Sequence, residues 1–167
     1  MNEEPKHLRH KPPTELSSPR ELVLACPPFR SGVNLARIIR LAGCSGVQEV
    51  VACGSNRIDP KIARDAIETV KIKRPRTLNN WLRKKKADDF RLVALEQSNR
   101  SINLHHYQFK RKSILLIGHE RDGIPDADLK LADDIIEIPV YGRPFSYNVA
   151  TATTMAVYEY CRQYPNG

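Results

Sequence analysis

The sequence predicts an α/β fold, in which a parallel sheet carries helices on both faces. Short apolar or β-branched runs recur along the 167 residues and alternate with segments of helical spacing. Several runs are apolar at consecutive positions, which is typical of strands buried on both faces. This alternation of strand and helix favours a sheet that is parallel and covered on both sides.

The apolar runs predict six strands, at residues 22–25, 47–52, 69–72, 90–95, 113–117 and 135–138. The segments between and after them predict five helices, at residues 34–42, 60–67, 77–86, 126–131 and 146–164. No internal repeat or low-complexity tract interrupts this order. The elements therefore describe one continuous domain.

The first and last helices carry the clearest patterns. In the first, an apolar stripe is formed by Leu35, Ile38, Ile39 and Ala42. Asn34 is expected to cap its start and Gly43 to follow its end, which leaves Arg37 and Arg40 off the stripe. The last helix has a broad face of small residues between Val149 and Tyr160, suited either to the core or to a dimer interface.

Length and composition indicate a single ordinary globular domain. With 41% hydrophobic and 28% charged residues, the chain can bury a core, and no stretch reaches the apolar length of a membrane span. Residues 1–20 are polar, basic and rich in proline, so we expect a flexible tail there and a single domain over 21–167. Because the tail lacks the apolar block of a secretory signal, a cytoplasmic location without membrane contact is expected.

The basic residues are concentrated rather than evenly spread. The net charge is +8, and eight lysines and arginines fall between Lys71 and Lys86. Such clustering favours a polyanionic partner, of which nucleic acid is the commonest. We predict contacts with such a nucleic acid at Lys84, Lys85, Lys86 and Arg30. The alternative is that Lys84 to Lys86 only keep an exposed helix face soluble.

The spacing patterns of other common sites are missing from the sequence. Four cysteines lie far apart, and the paired histidines lack partners at metal-ligand spacing, so no metal site is predicted. No G-x-G-x-x-G follows a strand, which leaves a dinucleotide-binding Rossmann site unsupported.

Polar and reactive side chains follow the last two predicted strands. Glu120 comes just after the 113–117 run, and Ser146 and Asn148 open the last predicted helix, which follows the 135–138 run. Ligand sites of parallel sheets are built from loops of this kind. Each residue also has a simpler interpretation: Glu120 as a solvated loop acid, Ser146 and Asn148 as helix caps, Arg40 as a surface charge. Taken singly, the simpler interpretations are favoured.

Taken together, the ordered set resembles the signature motifs of the SPOUT RNA methyltransferases, in their TrmH-like branch. The motifs are Asn34 with Arg40, then Gly118-x-Glu120-x-x-Gly123, then Ile138-Pro139, then Ser146-x-Asn148. The resemblance spans residues 22 to 163 and agrees in spacing as well as residue type. It implies a parallel sheet whose C-terminal part forms a deep trefoil knot, an exception to the rule against threaded chains.

The resemblance also implies S-adenosylmethionine as cofactor and methylation of a ribose 2′-hydroxyl of RNA. Cofactor contacts are expected at Leu95, Gly118, Ile138 and Tyr147. The catalytic arginine corresponds to Arg40, with Asn34 as its positioning partner and Glu120, Ser146 and Asn148 around the reacting centre. A guanidinium has a pKa above about 12 and is an awkward base. Arg40 either acts as that base with help from an RNA phosphate, or anchors the phosphate and stabilises the developing alkoxide.

By the same resemblance the chain is expected to form a homodimer through the last helix, with each active site drawing on both chains. Three residues depart from the usual pattern: Tyr147, Ala150 and His119. A minimal chain of this kind favours tRNA over rRNA by analogy. The alternatives are a non-catalytic RNA-binding module that kept the fold, and a methyltransferase that acts on rRNA or on a base.

Overall fold

In a computed structural model, the chain forms a seven-stranded sheet in the order β3-β2-β1-β6-β4-β7-β5. The structure describes residue 4, residues 6–8 and residues 11–167. All six strand pairings are parallel, which confirms the parallel α/β architecture that the alternating pattern predicts. Because the strands are parallel, the loops that follow them lie at one edge of the sheet, its carboxyl end.

The strands are β1 Arg20–Cys26, β2 Val47–Ala52, β3 Lys71–Lys73, β4 Arg91–Leu95, β5 Ile102–Asn103, β6 Ser113–Ile117 and β7 Asp134–Glu137. β6 lies at the centre of the sheet, and all five of its residues are buried, as the uninterrupted apolar run predicts. The sequence analysis missed β5, since a two-residue strand has no periodicity of its own.

The helices are α1 Gly32–Ser45, α2 Pro60–Ala63, α3 Ala66–Thr69, α4 Leu78–Ala87, α5 Asp126–Leu129 and α6 Val149–Gln163. They form two layers. One core cluster joins the sheet to α1, α2, α3 and α6, and the other joins its opposite face to α4 and α5. The predicted stripe of α1, with Leu35, Ile38, Ile39 and Ala42, is buried as expected.

Both predicted ends of the first helix are wrong. Ser31 is the N-cap and Asn34 lies inside the first turn. The helix also continues through Gly43, because the left-handed residue that ends it is Gly46, at φ +71°. Gly43 has a packing role instead: a Cβ there would lie 2.7 Å from the Cβ of Ala66, so glycine allows α3 to approach closely.

The predicted helix at 60–67 is interrupted. Arg64 adopts φ +52°, which ends α2, and α3 begins at Ala66. The apolar spacing across this segment is real, since Ala63 and Ala66 are both buried. Periodicity could not reveal the break, because the buried positions on either side of Arg64 keep a helical spacing.

The expected boundary between a tail and a domain at residue 20 falls inside the first strand. Arg20 is 8% exposed and donates to the carbonyl oxygens of Ser45 and Tyr164. The amide of Ser17 donates to the carbonyl of Asn166 over 2.9 Å. Residues 1–3, 5, 9 and 10 of the proposed tail lie outside the described residues. In the described part of the chain, no helix is long and apolar enough to span a membrane.

Candidate active site

A pocket opens at the carboxyl ends of β4, β6 and β7 and at the start of α6. Its volume is about 410 Å³, within the range of roughly 300–1,000 Å³ typical of small-molecule sites. The walls combine apolar side chains with polar loop residues: Leu95, Glu96, Gln97, Ile117, Gly118, His119, Glu120, Arg121, Gly123, Glu137, Ile138, Val140, Ser146, Tyr147, Asn148, Val149 and Ala152. All four residues predicted from sequence to contact a cofactor, Leu95, Gly118, Ile138 and Tyr147, are among them.

The turn after β6 is closed by its own backbone. The amides of His119 and Gly123 each donate to the other residue's carbonyl, over 2.9 and 3.1 Å. Gly123 has φ +68°, and a Cβ there would lie 2.6 Å from Oε2 of Glu96. The positive φ therefore favours glycine at this position, and a side chain there would also displace the carboxylate of Glu96.

Glu96 is a site residue that the sequence analysis did not single out. Its Oε2 accepts from the amide of Ile124 over 2.9 Å, and a Cβ at Gly118 would lie 3.2 Å from the same oxygen. The carboxylate thus holds the β6 turn against the end of β4. Its position directly after Leu95, at the end of an apolar strand, was the signal available in the sequence.

Glu120 binds the loop that follows β1. Its Oε2 accepts from the amide of Arg30 over 3.0 Å. Its Oε1 accepts from the amide of Ser31 over 3.2 Å and from Nδ2 of Asn34 over 3.1 Å. Partial burial by itself raises the pKa of Glu120, but these three hydrogen bonds outweigh it and hold the pKa below its ordinary value. At neutral pH Glu120 is therefore an ionised anchor and a poor proton acceptor.

Asn34 extends this network to the last helix. Its Oδ1 accepts from Nδ2 of Asn148 over 3.3 Å. Oδ1 of Asn148 in turn accepts from the amides of Ala150 and Thr151, over 3.0 and 3.4 Å, and so caps α6. The residues predicted as caps therefore differ in role. Asn34 links Glu120 to Asn148, Asn148 is the cap, and Ser146 lies before the helix.

The loop between β7 and α6 is open to solvent. Ser146 and Tyr147 are exposed and line the pocket rim. Within the described residues, the Ser146 hydroxyl makes no hydrogen bond, which leaves it free to contact a bound molecule. Two aromatic side chains of the same loop, Tyr141 and Phe145, are 85% and 75% exposed.

The structure does not bring Arg40 into this pocket. Arg40 is exposed on α1, less than two turns beyond Asn34, and does not line the cavity of its own chain. It makes no ion pair with any described residue. Asn34 therefore lies inside the site, whereas Arg40 lies on an open face of the same helix, beside the exposed Arg37.

The four residues predicted to bind RNA lie at opposite ends of the sheet. Arg30 is exposed beside Glu120, at the carboxyl end. Lys84, Lys85 and Lys86 lie at the end of α4, which leads directly into the start of β4. Lys86 pairs with Asp133, just before β7, and Lys85 pairs with Asp88. These lysines are therefore at the amino end, a strand length from the pocket.

A metal centre is not formed by the side chains whose placement is described. Among them, no group of three or more histidine, cysteine, aspartate or glutamate residues is arranged to hold a metal ion.

The chain is similar to known proteins over most of its length. Residues 21–158 match the model of the SpoU rRNA Methylase family. Over 136 residues the chain is 32% identical to the tRNA (guanosine(18)-2′-O)-methyltransferase of Escherichia coli K12, a match that covers 80% of this chain. The chain spans less than two thirds of that relative, 59% of its length.

Solved structures share the fold. The Aquifex aeolicus TrmH/SpoU tRNA modifying enzyme superposes with a TM-score of 0.84 at 25% identity, covering 90% of this chain and 78% of that one. The SpoU methyltransferase AviRb of Streptomyces viridochromogenes, in complex with AdoMet, gives a TM-score of 0.74 at 25% identity, covering 91% and 64%. Family model, relative and structures therefore agree with the resemblance carried by the sequence motifs.

Proposed function

Because the chain belongs to the SpoU rRNA Methylase family, we propose that it transfers a methyl group from S-adenosylmethionine to a ribose 2′-hydroxyl of RNA. Two similar proteins support the proposal. The E. coli relative is named a tRNA 2′-O-methyltransferase, and the AviRb structure contains AdoMet. We propose tRNA as the substrate class because the E. coli and A. aeolicus proteins are both named for tRNA. A tRNA substrate also supports the cytoplasm as the place of action.

The pocket at the carboxyl end is the observation that carries this proposal. Its volume of about 410 Å³ suits a nucleoside-sized ligand, and its lining matches such a ligand's mixed chemistry. Leu95, Ile138 and Val149 offer apolar surface for a base and a methionine chain. Backbone groups at the ends of β4, β6 and β7 offer the donors and acceptors that orient them. We assign Leu95, Gly118, Ile138 and Tyr147 to cofactor binding.

S-adenosylmethionine supplies a methyl group that its sulfonium has already activated. What remains for the protein is alignment of the attacking hydroxyl and removal of its proton. Glu120 supports the alignment by fixing the loop from Arg30 to Asn34 through hydrogen bonds. Asn34 and Asn148 join that loop to the cap of α6 through hydrogen bonds. The exposed Ser146 hydroxyl is assigned to the substrate ribose.

Arg40 lies outside the pocket of its own chain, so it can take part in the reaction only at the pocket of a second copy of the chain. We propose a homodimer in which Arg40 of one protomer meets the pocket of its partner, as the resemblance implies. Two observations support this. The helices α1 and α6 pack side by side, and each carries an exposed apolar or aromatic side chain, Val33 at 40% and Tyr158 at 74% exposure. In the pocket, Arg40 would hold an RNA phosphate and stabilise the alkoxide as the hydroxyl loses its proton.

We also propose that residues 21–167 form one domain whose C-terminal part is tied in a trefoil knot. The sheet order supports the knot. β7 pairs with β4 on one side and β5 on the other, although both precede it in the chain. The final segment thus enters between two strands that are already connected to each other.

The test is a methyl-transfer assay with labelled S-adenosylmethionine and an unmodified tRNA transcript, followed by digestion to nucleosides. The expected product is a 2′-O-methylated nucleoside. A label on a base would show a base methyltransferase instead. Methyl transfer to 23S rRNA but not to tRNA would show that the substrate class is rRNA and not tRNA. If calorimetry detects no heat at millimolar S-adenosylmethionine, only the non-catalytic RNA-binding module is left.

A further inference from the structure

Three loops at the carboxyl end pack together on the side of the sheet away from β5. They follow β1, β2 and β3. The side chain of Asn56 donates to the carbonyl of Phe29, which joins the second loop to the first. Arg74 donates to the carbonyls of Gly54 and Asn56, over 2.8 and 2.9 Å, which joins the third to the second. The three loops therefore form one continuous surface.

Glycine at position 32 allows the first two loops to touch. A Cβ at Gly32 would lie 2.8 Å from the backbone carbonyl oxygen of Arg57. Since that neighbour is backbone, a side chain at position 32 would push the β2 loop away. The close approach places Arg57 beside the start of α1, next to the segment that Glu120 holds.

Exposed arginines follow each of the three strands, and we call this set the arginine strip: Arg30, Arg57, Arg74 and Arg76. None of the four makes an ion pair with a carboxylate in the part of the chain that the structure describes. The nearby carboxylates are committed elsewhere, because Asp59 caps α2 and Glu120 accepts from the loop amides. The positive charge of the strip therefore faces solvent uncompensated.

We propose that the arginine strip binds the phosphodiester backbone of RNA beside the nucleotide that enters the site. This inference rests on the proposed function, since it identifies the surface that holds the substrate. Guanidinium groups suit it because their planar fork binds phosphate oxygens in pairs, which applies to Arg30, Arg57 and Arg76. Arg74 contributes positive charge while its fork holds the loop carbonyls. Neighbouring strands are about 4.8 Å apart, so three loops span about 10 Å. At a rise of about 3.4 Å per nucleotide, this length accommodates about three phosphates of a stacked strand.

The strip also leads directly into the active site. Arg30 begins the strip, and its amide is bound by Glu120, whose other oxygen holds Asn34. An RNA strand lying on Arg57 and Arg76 would reach the pocket rim by way of Arg30. The lysines of α4 lie at the opposite end of the sheet and offer no such route.

The test compares two charge reversals of equal size in the full chain. Arg57→Glu with Arg76→Glu changes the strip without touching the pocket. Lys110→Glu with Lys130→Glu is the matched control, because both lysines are exposed near the amino ends of β6 and β7. The measurement is the dissociation constant for an unmodified tRNA transcript over a range of salt concentrations. For every variant, calorimetry with S-adenosylmethionine checks that the pocket is intact. A urea unfolding curve checks that the fold is intact.

The strip variant is expected to raise the dissociation constant more than tenfold and to flatten the salt slope by about 1.4 to 1.8, the loss of two phosphate contacts. The control should change affinity less than twofold, and all forms should bind S-adenosylmethionine alike. Arg57→Gln with Arg76→Gln, which removes charge without reversing it, should give an intermediate loss. Lys84→Glu should behave like the control.

Equal affinity in the strip variant and the wild type would overturn the inference and would indicate a different partner for the arginines, such as an acidic protein. A loss of tRNA affinity seen only in Lys84→Glu would show that RNA binds along α4 and not along the strip. If the wild type binds tRNA through the strip but transfers no methyl group, the proposed function fails while the strip stands. Salt-independent tRNA binding by the wild type would reject the strip even if methyl transfer is observed.

Discussion

The two ends of the parallel sheet are both basic, but they use their charges differently. At the amino end, Lys86 pairs with Asp133 and Arg91 with Asp134, each over 2.7 Å. At the carboxyl end, the carboxylate of Glu120 is occupied by loop amides and Asn34, and the arginine strip has no paired carboxylate among the described residues. A dense run of positive residues in the sequence is therefore not the same as a free positive surface in the fold.

The charged residues at the two ends of the sheet are expected to have different roles. Paired charges at the amino end connect strand starts and helix ends, so their loss should reduce stability. We propose that the unpaired charges and the pocket at the carboxyl end bind ligands, so their loss should reduce binding or catalysis. Variants at matched positions can separate these effects.

The largest effect is expected from Arg40→Ala. If Arg40 stabilises charge in the transition state, its removal should lower the methyl-transfer rate by about 10² to 10³-fold. S-adenosylmethionine affinity and the urea midpoint should stay unchanged, because Arg40 is exposed and outside the pocket of its own chain. Arg37→Ala, exposed on the same helix, is the control. Equal rates for both variants would remove Arg40 from the mechanism.

A smaller loss is expected from Glu120→Gln. Glutamine offers one acceptor oxygen where the carboxylate uses two, so at least one donor among Arg30, Ser31 and Asn34 loses its partner. Misplacement of the loop should lower the rate by about tenfold to a hundredfold. The exposed Asp122→Asn, in the same turn, should keep the wild-type rate. Full activity in Glu120→Gln would show that the loop does not need this anchor.

Local patterns in the sequence predicted much of the fold, and the distant contacts explain what they missed. The apolar runs at 47–52 and 113–117 became β2 and β6 with unchanged bounds. All of β6 and the last three residues of β2 are buried, and burial of consecutive residues requires an uninterrupted apolar run. Asn34 was expected to cap α1. Its side chain is instead bound by Glu120, a partner 86 positions away that no local rule could identify.

The candidate site likewise contains positions that the sequence could indicate and positions that it could not. The pocket-lining positions Leu95, Gly118, Ile138 and Tyr147 could be proposed because family motifs mark them, and all four line one cavity. The basic run could not show that Lys86 pairs with Asp133, a residue from a distant part of the chain, so RNA binding at Lys84 to Lys86 stays a prediction. The arginines of the strip are scattered along the sequence and come together only because three parallel strands end at the same edge.

At the amino end, Arg91→Ala should cost stability without touching RNA binding. Nε and Nη2 of Arg91 each lie 2.7 Å from an oxygen of Asp134, and this pairing holds the pKa of Asp134 below its ordinary value. Because the arginine is partly exposed, the expected loss is about 1–2 kcal/mol in urea unfolding. The tRNA dissociation constant should change less than twofold. A larger change would mean that the amino end also contacts RNA.

The smallest expected effect is a pH dependence. The folded pKa of Glu120 lies below its ordinary value of 4.5, so its stabilising contribution is complete above that value. The contribution falls as the pH drops through the folded pKa. Below pH 4.5 the wild type should therefore lose urea stability more steeply than Glu120→Gln, which has no proton to gain. Parallel curves for the two proteins would show that the carboxylate adds nothing.

Hydrogen–deuterium exchange of the full chain, with and without S-adenosylmethionine and a tRNA transcript, tests the division between the two ends most directly. We predict protection by the cofactor at residues 95–97, 118–123 and 138–148. Added tRNA should extend protection to residues 29–34, 54–57 and 74–76, with no change at 84–90 or 110–113. Protection by tRNA at 84–90, with none at the three carboxyl-end loops, would contradict the account.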